Sequence, residues 1–104
     1  MVNINGKEWR VVLGSPLHPL LEMPDGNYAI GVCDDPSKTI VVCENLNSFY
    51  LKKVLCHELA HAAMFSYNID LTYEQEELIV DLIATYGQEI IGMTNIIFKR
   101  LKNQ

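Results

Sequence analysis

Residues 57 to 61 read His57-Glu58-Leu59-Ala60-His61 and lie within a long apolar run. Val54, Leu55, Leu59, Ala60, Ala62, Ala63 and Met64 surround the polar residues, and a run of this length reads as a helix. Four residues advance about 400° around a helix, so His57 and His61 stand one above the other on one face. A helix that is apolar nearly all round is expected to be largely buried. Two histidines and a carboxylate in such a helix need partners, because unpaired buried polar groups are costly. One metal ion satisfies all three. The HExxH spacing gives Zn²⁺ two imidazole ligands, His57 and His61, and leaves Glu58 beside the ion to take a proton from water.

At 104 residues, the chain is expected to form a single domain over 1–104 with one modest core. Hydrophobic residues make up 49% and charged residues 20%, a globular balance and not a disordered one. The formal charge of −5 argues against nucleic acid as a partner, since binding phosphates needs a basic surface. Lys99, Arg100 and Lys102 form a basic cluster that suits a helix C-terminus. No apolar h-region follows Lys7, Glu8 and Arg10, and no stretch approaches the length of a membrane span. Cys33, Cys43 and Cys56 are odd in number and lack paired spacing. The expectation is a cytoplasmic protein with reduced thiols and no membrane partner.

Residues 7 to 14 have the β-branched and aromatic content of a strand ended by Gly14. Turn chemistry then runs through Ser15-Pro16-Leu17-His18-Pro19 and Pro24-Asp25-Gly26-Asn27, where His18 reads as an exposed surface histidine. Two further strand-like runs, 28–33 and 39–43, flank Asp34-Asp35-Pro36-Ser37-Lys38, a hairpin connection. Asn47 or Ser48 can cap a helix from about Phe49 to Ser66. After a break at Tyr67-Asn68-Ile69-Asp70, Thr72 and Gln75 form a capping box for a helix from Tyr73 to at least Ile90. Gly87 and Gly92 weaken its later part, allowing a separate helix over about 93–102. The expected fold is α+β: a small antiparallel sheet of about three strands followed by two or three helices.

A catalytic zinc site takes three protein ligands and keeps a fourth position for water. The chain holds three histidines and none follows His61, so the third ligand is a carboxylate or a strand thiolate. Among Glu74, Glu76, Glu77 and Asp81, Glu77 is preferred because Asp81 lies four residues on, on the same face. Asp81 can then accept the ring N–H of one histidine and fix its tautomer. Glu76 is the rival. An acidic first turn explains Glu74, Glu76 and in part Glu77 without a metal. It explains Asp81 poorly, because Asp81, among Leu78, Ile79, Val80, Leu82 and Ile83, is expected to be buried.

His57-Glu-Leu-Ala-His61, a short separator, then Glu77-Leu-Ile-Val-Asp81-Leu-Ile-Ala84 resembles the gluzincin pattern HExxH…ExxxD. More narrowly, residues 28 to 92 are similar to the ImmA/IrrE-type metallopeptidases and related small phage and mobile-element proteins. That family often carries Ala-Asn and Phe-Ala pairs where this chain has Val80-Asp81 and Ile83-Ala84. The resemblance implies a minimal zincin-like hydrolase with His57, His61 and Glu77 on Zn²⁺ and Glu58 as base. Some larger relatives cleave a repressor, so it also implies a regulatory protein of a mobile element as partner.

The expected activity is hydrolysis of a peptide bond in a protein or peptide substrate. Glu58 accepts the water proton and delivers it to the leaving nitrogen. Tyr73 and Tyr67 are candidate oxyanion donors. Substrate is expected to extend along a sheet edge formed by residues 39–43. The alternative is a non-catalytic, zinc-stabilised protein-binding module, in which a fourth protein ligand would close the site.

Overall fold

Asn5 and Gly6 join strands β1 (Val2–Ile4) and β2 (Lys7–Gly14), with Ile4 directly opposite Lys7. Both turn residues have positive φ, 49° and 80°. That is the two-residue turn that matches strand twist, and Asn-Gly is the pair that adopts it most easily. The computed structural model describes all 104 residues. It adds strands β3 (Gly31–Asp34) and β4 (Thr39–Cys43), in the sheet order β1-β2-β4-β3.

The fold is α+β, and the sheet within it differs from expectation. It has four strands, and β2 pairs with β4 in parallel, Val11 opposite Ile40 and Leu13 opposite Val42. Residues 15–30 carry the chain past the position of β4 to the far edge. There β3 begins, and β4 returns antiparallel to it to fill the gap beside β2. The unbroken apolar run Ile40-Val41-Val42-Cys43 reflects this interior place, because a central strand is covered on both faces. Ile40 and Val42 pack with Trp9, Val54 and Ala62. Val41 and Cys43 pack on the other face with Leu21. Leu21 belongs to a 3₁₀ turn, Pro19–Leu21, capped by His18, whose Nδ1 accepts the Leu20 N–H at 3.1 Å. His18 is therefore a half-buried capping residue and not a surface histidine.

Helix α1 (Ser48–Ser66) starts at Asn47, whose side chain accepts the Tyr50 N–H at 2.9 Å. It lies across the β4 face, and its C-terminal end is fastened to β2. The Trp9 Nε1–H donates to Ser66 Oγ at 2.8 Å, and Trp9 stacks on Phe65 with ring centroids 6.4 Å apart. Helix α2 (Tyr73–Leu82) begins with the Thr72/Gln75 capping box and meets α1 where Val80 packs on Ala60 and Met64. The expectation that α2 is buried fails. Of its residues only Val80 is buried, and Leu78 is 72% exposed. A π-helical turn, Ile83–Gly87, then leads into α3 (Gln88–Lys102). Gly87 keeps helical angles, φ −59° and ψ −43°, so the path does not break there. The three cysteines are free. No helix is long and apolar enough to cross a membrane.

Because Trp9 and Ser66 are both buried, Ser66→Ala leaves the indole N–H without an acceptor. We expect it to lower unfolding free energy by about 1–3 kcal/mol in denaturant titration. A loss near zero would show that water replaces the hydroxyl.

Candidate metal centre

The helix period brings His57 and His61 together as expected, with ring centroids 5.0 Å apart and planes 68° to one another. Packing of Val80 between Ala60 and Met64 turns the first half of α2 toward those rings. The ring nitrogens are shared out in a consistent way. His61 Nε2 lies 2.8 Å from Glu77 Oε1, and His57 Nε2 lies 4.0 Å from Glu77 Oε2. The other nitrogens meet other carboxylates: His57 Nδ1 is 3.0 Å from Asp81 Oδ1, and His61 Nδ1 is 2.6 Å from Glu76 Oε2. A carboxylate at Nδ1 holds the proton there and leaves Nε2 as a lone-pair donor.

One donor atom each from His57, His61 and Glu77 lies within 4.8 Å of the other two. Two imidazoles and a carboxylate form a donor set suited to Zn²⁺, whose bonds of about 2 Å require such atoms to sit a few ångströms apart. No thiol joins the group, so the strand-thiolate option is not supported. Glu76, the rival ligand, sits instead behind His61, where it matches the partner that Asp81 gives His57. Sequence reasoning assigned an orienting carboxylate to one histidine only. The spacing Glu76 to Asp81 covers both, since the two rings differ in height by one turn. Asp81 is 64% exposed at its side chain, against the expectation of burial, because α2 is covered on one face only.

Glu58 is 7% exposed and lies under β3. A Cβ on Gly31 would come within 2.9 Å of Glu58 Oε2 and 2.6 Å of Val54 Cγ1, so only glycine allows α1 this close to the strand. Burial pushes the Glu58 carboxyl up to about 7; nearby His61 opposes the rise and Glu77 adds to it. Cys33, also on β3, is pushed up to about 12 by burial and by the surrounding carboxylates, so its thiol stays protonated.

Two cavities of about 550 and 480 Å³ meet at Gly31, His57 and Glu58. Tyr73 lines one of them, whereas Tyr67 lines neither. Tyr28 and Tyr50 line the other and were not singled out from sequence. Tyr50 was accessible to that reasoning, because seven residues before His57 is two turns along the same face. The expected substrate edge requires correction. Residues 39–43 form the interior strand β4, and the edge beside the site is β3. Ile30 O accepts the Cys43 N–H, so ladder alternation turns the Gly31 and Cys33 backbone groups away from β4.

No protein-family model, curated protein or solved structure matches this chain.

A folded-state carboxyl titrating near 7 against 4.5 unfolded binds its proton more tightly when folded. Stability of the metal-free protein must then fall as pH rises from 4.5 to 7, by about 1–3 kcal/mol for this group. Glu58→Gln removes the cost of the buried charge. In chelator, the variant should be more stable than the parent at pH 7.5 and equal to it below pH 4.5. Unfolding curves across that range check this; a constant difference would contradict it.

Proposed function

We propose that the chain is a minimal zinc metallopeptidase of the gluzincin type. The observation that carries this reading is the meeting of a three-donor group with a buried carboxylate, Glu58, at the floor of a cleft open to a strand edge. His57, His61 and Glu77 would hold the ion. A dication bound there acidifies a water and polarises a carbonyl.

Glu58 is the proton carrier. Its carboxyl, raised to about 7 by burial, takes a proton from the attacking water and releases it to the departing amide nitrogen without a large penalty either way. Asp81 and Glu76 keep both rings oriented with the same nitrogen toward Glu77. An extended peptide is positioned by the outward backbone groups of Gly31 and Cys33, which add it to the sheet as a further strand. Tyr73, on the cleft wall, is the candidate oxyanion donor. Backbone pairing reads shape more than sequence, which suits a protein substrate. The resemblance to ImmA/IrrE-type enzymes favours a regulatory protein of a mobile element, in the cytoplasm. Three grouped donors, with no fourth among the histidines, cysteines and carboxylates, support catalysis over a closed structural site.

Glu58→Gln should retain zinc, measured by metal analysis, and lose peptide cleavage by at least about 100-fold. Surviving cleavage would remove Glu58 as the base. Titration with zinc should show Glu77→Ala losing at least about tenfold more affinity than Glu76→Ala. The reverse order would exchange the roles of the two glutamates.

A further inference from the structure

Helix α3 has no buried residue. Its substantial contacts are with the π-helical turn before it, and the molecule is drawn out to 56 Å along one axis. As the outer end of the continuous helical rod over 73–102, α3 keeps its helical path, but its apolar face lies open to water, which favours covering it. Ile90, Met93, Ile97 and Leu101 follow each other at intervals of three and four, within about 80° of one another on the helix surface. Each is between 49% and 59% exposed. Ile91 and Phe98 flank this stripe and are as open, and Ile90 and Ile91 also border a groove of about 550 Å³ near Cys56 and Ile83.

We propose that α3 is a dimerisation element that pairs antiparallel with α3 of a second copy. Charge selects both the occupant and the direction. Glu89 begins the helix, and Lys99, Arg100 and Lys102 end it. Glu89 and Arg100 are eleven residues apart, about three whole turns, and so share one flank of the stripe while lying about 16 Å apart along it. In an antiparallel pair each flank meets its own copy running backwards. Glu89 then faces Arg100 of the partner subunit, and Ile90 and Met93 face Leu101 of the partner subunit and Ile97 of the partner subunit. A parallel pair would set basic end against basic end. Covering the stripe on both copies removes on the order of 1,000–1,200 Å² from water, the lower range for a specific interface. A uniformly anionic lipid surface would match the basic end of α3 but repel Glu89, whereas a second copy running backwards matches both ends. The pairing is independent of the metal centre.

Sedimentation equilibrium of the zinc-loaded full chain, from about 1 to 100 µM, tests it. The parent should be a dimer at the upper end, and Ile97→Asp should be a monomer with the fluorescence of a buried Trp9. Glu89→Arg and Arg100→Glu should each weaken the dimer by about tenfold, and the double variant should restore it to within about threefold of the parent. A parent that stays monomeric overturns the proposal, as does a dimer insensitive to Ile97→Asp. Single charge variants that change nothing, or a double variant no better than either, exclude the antiparallel arrangement. Binding of the parent to phosphatidylserine vesicles in place of self-association would assign the face to a membrane surface and also overturn it.

Discussion

Contact between α1 and the inward face of β4 governs how near Glu58 comes to the sheet edge. Ile40 and Val42 fix the helix on the sheet through Val54 and Ala62, and Trp9 with Ser66 holds its far end. At that distance a side chain at position 31 would collide with both Val54 and Glu58, so the absence of a Cβ on Gly31 is part of the same contact. The geometry of the candidate metal centre then needs little else. Once α1 is seated, the helix period stacks the two imidazoles, and Val80 docking on Ala60 and Met64 brings the carboxylates of α2 over them.

The site gathers Glu58, Glu76, Glu77 and Asp81 around two imidazoles. That accumulation of negative charge opposes folding when nothing positive sits among it, and burial of Glu58 makes it worse. Only 15 of 104 residues are buried, so the core has little stability to spare for such a site. A bound dication would reverse the balance, because a ligand that binds only the folded state adds its binding free energy to folding. An ion held there would thus contribute to folding itself.

Much of this was readable from the chain. HExxH in an apolar run fixed the motif helix, Thr72 and Gln75 marked the start of α2, and Asp81 four residues beyond Glu77 anticipated the contact with His57. What escaped was long-range. Parallel pairing of β2 with β4 depends on where a 16-residue connection lands, which no local pattern encodes. The apolar composition of α2 suggested burial, yet only the Val80 side meets α1; composition cannot distinguish a covered face from one left for a partner. Strand β1 was missed although Asn5-Gly6 between Ile4 and Lys7 carried the turn signal. Glu76 was weighed as a rival ligand or a first-turn charge and not as an orienting partner, because the requirement that each imidazole have its own carboxylate was applied to one ring.

The π-helical turn at Ile83–Gly87 lodges an extra residue in an otherwise regular rod. The wide i→i+5 winding absorbs that residue, so the helix beyond it keeps the facing of a plain rod one residue shorter. Deleting a residue there would restore plain α-helical winding and leave both the carboxylates and the distal stripe facing as they do, so the bulge can be lost without redirecting either end of the rod.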